Sequence, residues 1–208
     1  MTISYKETRL FGRFLGICAT TVLIAGCAHP VDVGSTSAAY EVRRDRVQPT
    51  KAYVAISGDL ATLERNVKPG YVCGSHSYPV AAGSSVKTSI VRTVSAAHSS
   101  VVTVQNAGEA GKDGVLYIFA LDDFNPRLRF QQGFFSLTAD ASVELSMKTT
   151  AISPEGRELA TTTVRGYGQE SVEGPCPAGA EALGKATEKA VRVSLENFVA
   201  RVVNQRLD

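Results

Sequence analysis

The stretch FFSLTADASVELSMK, Phe134 to Lys148, decides the fold. Phe135, Leu137, Ala139, Ala141, Val143, Leu145 and Met147 alternate with Ser136, Thr138, Asp140, Ser142, Glu144, Ser146 and Lys148. Neighbouring side chains of a strand point to opposite faces, so this period of two describes one long strand with a buried face and a wet face. The pattern continues on both sides. Upstream, VLYIFALDDF sets Val115, Tyr117, Phe119 and Leu121 on one face. Downstream, SPEG at Ser153 to Gly156 is a turn signal, and ELATTTVRGYG returns as the second arm of a long hairpin. These arms exceed the usual strand length of ~5–6 residues, so bends or bulges are expected.

The flanking elements are shorter. AYVAIS reads as a strand. GDLATLERNV reads as a helical turn, with Asp59 as a cap and Leu60, Leu63 and Val67 at helical spacing. YVC, Tyr71 to Cys73, reads as a short strand. GSSVKTSIVRTVSAAH reads as a helix capped by Ser84 or Ser85, with Val86, Ile90, Val94 and Ala97 on one face. SVVTVQN is a strand, and the glycine-rich NAGEAGKDG a loop. From Ala180 to Arg206, Leu183, Ala190, Val191, Leu195, Phe198 and Val202 share one side, with Glu181, Lys185, Glu188, Arg192 and Glu196 opposite. That is a long amphipathic helix suited to packing on a sheet. The expected fold is α+β: a twisted, mostly antiparallel sheet with two helices packed on one face, in a single domain over residues 51–208.

The N-terminus fixes the compartment. Lys6, Arg9 and Arg13 precede an apolar run from Phe14 to Gly26 that is too short for a spanning helix, which needs ~20 apolar residues. A positive region, an apolar run and small residues before a cut describe a signal peptide, residues 1–26. Ile24-Ala25-Gly26-Cys27 resembles the bacterial lipobox. The resemblance implies cleavage after Gly26, diacylglycerol on the Cys27 thiol and acylation of the new amino terminus. Two or more acyl chains give a stable anchor where one gives a marginal one. The competing reading is an ordinary secretory signal with an incidental cysteine. Residue 28 is alanine rather than aspartate, which resembles the sorting signal for the outer membrane. Residues 27–50 are small, polar and aperiodic, and read as a lipidated, largely disordered tether.

Loss of the signal removes three bases and one acid, leaving basic and acidic residues equal in number. No basic field remains to point to nucleic acid. The small cluster Arg43, Arg44 and Arg46 reads as a solvated tether segment or a contact to anionic headgroups or peptidoglycan. Cys18 leaves with the signal, and Cys27 carries lipid. Cys73 and Cys176 remain, and two thiols in an oxidising compartment most simply pair. The rivals are free thiols, or a metal held by Cys73, His76 and Cys176, which falls one ligand short of a structural zinc site.

Chemistry-bearing motifs are few. GSHSY lacks the central serine and final glycine of a nucleophile elbow. GEAGKDG lacks the spacing and the Ser/Thr of a phosphate loop. His29 and His98 look isolated. DDFNPR, Asp122 to Arg127, groups acids and a base at a strand end, but continued alternation sends Asp122 and Asp123 to opposite faces. The surface of Asp122, Asp123, Phe124, Arg127 and Phe130, with Phe134 and Phe135 nearby, is the candidate partner surface. No catalytic residue, cofactor or metal is expected, and oligomeric state is left unassigned.

The lipobox, the helix after a short strand, the hairpin around FSLTADASVELSMKTTAISPEGREL and the final helix together resemble small bacterial envelope lipoproteins of the YajG type and, more distantly, LPS-assembly lipoproteins. The resemblance implies an outer-membrane-anchored protein on the periplasmic side. It would be non-catalytic, and would bind or help assemble a transport, secretion or surface-structure complex. It assigns no functional residue. The alternatives are a carrier of a small apolar or cell-wall ligand and an envelope hydrolase.

Overall fold

The computed structural model describes residues 27–43, 45 and 47–205; the signal peptide reading, residues 1–26, and Arg44 and Arg46 lie outside them. The elements are β1 (Gln48–Ile56), a single turn α1 (Gly58–Ala61), β2 (Glu64–Val67), β3 (Tyr78–Ala81), α2 (Gly83–Ser95), β4 (His98–Val104), β5 (Gly114–Gln132), β6 (Leu137–Ile152), β7 (Glu158–Glu173) and α3 (Ala178–Phe198). The main sheet has the order β4-β1-β5-β6-β7, and β2 and β3 form a separate two-stranded sheet. The long arms β5, β6 and β7 pair antiparallel throughout, as the alternation requires. β1 lies between β4 and β5 and runs parallel to both. The fold is α+β and mostly antiparallel, with this parallel corner added.

The alternation is realised from Ala139 onward. Ala139, Ala141, Val143, Leu145 and Met147 are buried facing the helices. Phe135 falls outside β6 and stands 95% exposed, because it lies in the turn between β5 and β6. Val86, Ile90 and Val94 of α2 and Leu183, Val191, Leu195 and Phe198 of α3 enter the same core, so both helices cover one sheet face. Tyr117 and Phe119 meet Phe198 edge-on at ring-centroid distances of 5.6 and 5.0 Å. Each such side chain stabilises the fold by roughly 1.5–3 kcal/mol relative to exposure. Among the described residues, a second, small cluster of Tyr53, Ala55, Val104 and Leu116 lies on the opposite face, with Ile118 and Ile152 packed against it.

Three local expectations change. Only Gly58–Ala61 of GDLATLERNV is helical; Glu64–Val67 pairs with β3. Tyr71–Cys73 lies in a turn rather than a strand. α2 begins at Gly83, ahead of the expected serine caps, and no side chain caps it. A Cβ at Gly83 would lie 2.2 Å from the Ala61 carbonyl oxygen, so glycine permits the close crossing of α1 and α2.

The largest difference concerns the expected tether. Described residues 27–43 form a strap against the domain. Val31, Val33 and Ala38 are buried, and Ala28 and Val31 bridge in parallel to Ser77 and Val80 of the β3 region. α2 presents a polar row at i, i+4 spacing to this strap. Ser85 Oγ donates to the Val33 carbonyl, Ser89 Oγ accepts from Thr36 N at 2.9 Å, and Thr93 Oγ1 accepts from Ala38 N at 3.1 Å. On α3, Glu188 Oε1 accepts from Gly34 N at 2.7 Å, and Tyr40 donates to Glu196. The strap has no periodicity because its backbone is satisfied by two isolated bridges at its start and by helix side chains beyond them rather than by a continuous ladder. Arg43 pairs with Asp45 at 3.1 Å on the surface.

Thr93→Val keeps the shape of a fully buried residue but leaves the Ala38 N–H without its acceptor. The expected cost is ~1–3 kcal/mol, with faster hydrogen exchange at Ala38. Parent-like stability and exchange in urea and exchange measurements would show that the strap is not held there.

Candidate functional site

Two regions bring together residues singled out in the sequence. The first is a cleft over the meander at the middle of β5, reaching as far as Val193 of α3. Leu121 pairs with Met147 and Asp123 with Ser146, so Asp122 is an extra residue, a β-bulge. The bulge overrides the expected alternation: Asp122 and Asp123 line one open cleft with Glu144, Ser146, Arg165 and Tyr167, of volume about 550 Å³. Ser146 Oγ donates to Asp122 Oδ2 at 2.7 Å, tying the bulge to β6. This cleft offers carboxylates and one guanidinium to a polar partner. Among the described residues, no group of three or more His, Cys, Asp or Glu side chains is placed to hold a metal ion.

The remainder of the predicted partner surface divides. Arg127 is exposed, with its Nε 3.4 Å from Asn125 Oδ1. Phe124, paired with Leu145, is 4% exposed and belongs to the core. Phe130 is half-buried against Tyr78, at 6.3 Å between ring centroids. The bulge shifts the alternation by one residue, which turns both rings inward. The exposed aromatics lie further along: Phe134 and Phe135 in the β5–β6 turn are 92% and 95% exposed, and Tyr71 in the β2–β3 loop is fully exposed.

The second region is the end of the sheet at that turn. Cys73 and Cys176 form a disulfide across a separation of 103 residues. It joins the β2–β3 loop to the start of α3. Cys73 has φ +58°, a left-handed conformation rare for a residue with a Cβ, held here by the cross-link. His76, the third ligand of the metal alternative, faces His29 instead, with Nδ1 2.7 Å from His29 Nε2. Tyr78 Oη donates to the Cys176 carbonyl at 2.7 Å. Cys27 is exposed with a free thiol, and its carbonyl accepts from Ser77 N at 3.1 Å. Cys27 therefore sits directly on the folded domain, at the disulfide end.

His98, expected to be isolated, is buried, with Nε2 3.0 Å from Tyr117 Oη. Desolvation holds the imidazole below its ordinary pKa, partly offset by a hydrogen bond to the Thr50 backbone, and burial raises the Tyr117 phenol. The folded state therefore binds fewer protons at His98 than the unfolded state once pH falls below ~6.5. Stability is expected to fall across the window from that value down to the depressed folded pKa, and to level off below it. His98→Gln should flatten this window in melting temperature measured against pH; a parallel pair of curves would contradict the assignment.

Sequence reasoning missed the His29–His76 contact, which links segments far apart in the chain. It also missed the Ser85, Ser89 and Thr93 row, although the i, i+4 spacing of small polar residues beside the apolar face is visible. No helix among the described residues is long and apolar enough to cross a membrane.

No protein-family model matches this chain, and no curated protein matches it. Among solved structures, it is similar to a minor lipoprotein from Acinetobacter baumannii, at 10% identity and a TM-score of 0.36, covering 76% of this chain and 92% of that one. It is also similar to a hemagglutinin homolog from Helicobacter pylori, at 8% identity and a TM-score of 0.37, covering 76% of this chain and 87% of that one. Neither match assigns a residue or an activity here.

Proposed function

We propose that this chain is a bacterial envelope lipoprotein, cleaved before Cys27, acylated on it and held at the periplasmic side of the outer membrane. Its domain binds or helps assemble a larger envelope complex and catalyses no reaction. One observation carries this reading: the cysteine of the lipobox-like sequence is exposed on the domain surface, with its thiol unpaired and its carbonyl bonded to Ser77. Ala28 rather than aspartate supports outer-membrane delivery. The bulged cleft at Asp122 and Asp123 supports a polar contact to a partner protein. A carrier role is less favoured, because the apolar faces that would line a ligand cavity pack against one another in one core.

The test is in-cell crosslinking and pull-down with the parent and with Cys27→Ser. A defined set of envelope proteins recovered with the parent and lost with the variant is expected. Recovery of abundant bystanders alone would overturn the assembly role.

A further inference from the structure

We infer that the disulfide end of the domain is a membrane-seating surface, with Phe134, Phe135 and Tyr71 lying in the lipid interface beside the anchor. The inference rests on acylation of Cys27 and goes beyond it, because it fixes which end of the domain meets the bilayer.

A long free tether would let an acylated domain take any orientation. Here the Cys27 carbonyl accepts from Ser77 N at 3.1 Å, and His29 N donates to the Ser77 carbonyl at 2.8 Å. The acyl chains therefore leave from a fixed point on the domain surface. From that point the structure leads continuously to the hairpin turn. Ser77 adjoins Tyr78, whose ring lies 6.3 Å from Phe130. Phe130 pairs with Ala139, and the ladder closes at Gln132 and Leu137. Gly174 N donates to the Leu137 carbonyl at 2.8 Å, tying the lead-in of α3 to the same end. Phe134 and Phe135 lie two to three residues past this closure, within ~10 Å at strand rise. Tyr71 lines a shared cleft with Arg129 and Phe130.

This end thus gathers the anchor point and the three most exposed large apolar side chains among the described residues. Two adjacent phenylalanines in water are unfavourable, and acyl chains next to them supply the apolar phase that covers them. Tyrosine, with an apolar ring and a polar tip, suits the headgroup level. The opposite end provides a built-in comparison. Tyr40, 66% exposed, meets Glu196 near the far end of α3, ~30 Å along the helix axis from Cys176.

The chain contains no tryptophan, so a single introduced one reports its own surroundings. The full-length gene carrying Phe135→Trp, or Tyr40→Trp, is expressed, and the protein is taken from membranes with its Cys27 mass determined. It is then reconstituted in phosphatidylethanolamine/phosphatidylglycerol vesicles, with and without brominated acyl chains. The expected result is a blue shift and bromolipid quenching for Phe135→Trp, and neither for Tyr40→Trp. Acylated protein that floats with the vesicles while Phe135→Trp stays unquenched would overturn this inference and leave the anchor standing. Equal quenching at both positions would overturn it as well. So would a blue shift that appears only with rising protein concentration and is insensitive to bromolipid, which would assign the aromatic turn to a second copy. Absence of acyl mass on Cys27 would overturn the anchor and this inference together.

Discussion

Gly168→Ala is expected to lower the stability of the domain by about 3 kcal/mol, and Gly166→Ala by a similar amount. Both glycines lie on the helix-facing side of β7, where α3 passes against the strand. A Cβ at Gly168 would stand 1.9 Å from the Ala186 carbonyl oxygen, and one at Gly166 1.9 Å from that of Ala190. These are backbone atoms on the buried, sheet-facing side of the helix, so the clash is relieved only by lifting α3 off the sheet. The helix meets the glycines with a matching row of small residues, Ala182, Ala186, Ala190 and Ser194, all fully buried. Lifting it would loosen the contacts of Leu183, Leu195 and Phe198 with the core. Gly58→Ala serves as the contrast. It has open space around the added Cβ, and in compatible backbone such a change stabilises by ~0.4–1 kcal/mol. Urea unfolding should therefore move in opposite directions for Gly168→Ala and Gly58→Ala. Equal midpoints for the two would contradict the close seating of α3.

The second large effect belongs to the disulfide. Replacing Cys73 and Cys176 together by alanine should cost ~4 kcal/mol, since the cross-link closes a loop of about 100 residues in the unfolded chain. For a chain of this size that corresponds to a melting temperature lower by roughly 10 °C. The closed loop holds β3, α2 and the whole β4 to β7 series. Reduction of the parent should reproduce the loss. Identical melting of oxidised and reduced protein would show that the bond adds nothing. The left-handed backbone at Cys73 adds a local signature: without the bond, the turn around Tyr71 should exchange hydrogens faster.

The meander and α3 were legible because each repeats one simple period over many residues, and burial of one face demands that period. The disulfide was legible from the count of cysteines left after the signal. The glycines of RGYG pass unremarked in the hairpin reading; glycine within a strand can mark a close backbone approach, but the partner helix is not readable locally. The bulge at Asp122 shifts the apolar positions from odd (Tyr117, Phe119, Leu121) to even (Phe124, Leu128, Phe130); alternation continued without that shift sends Asp122 and Asp123 to opposite faces and leaves Phe124 in the expected partner surface. The strap reads as tether because its order comes from the side chains of α2 and α3 and from bridges to the β3 region, not from a pattern of its own. The parallel placement of β1 between β4 and β5 depends on pairings across the chain that no local window contains.

The strap also alters what the anchor does. Described residues 27–43 lie against the helices, so under the proposed function an acylated Cys27 would hold the domain at the bilayer instead of at the end of a flexible arm. The most direct measurement is the intact mass of the N-terminal peptide of the protein isolated from cell membranes. The expected result is a peptide that begins at Cys27 and carries the diacylglyceryl and amide-linked acyl increments. A peptide that retains residues before Cys27, or that begins there with an unmodified thiol, would contradict it.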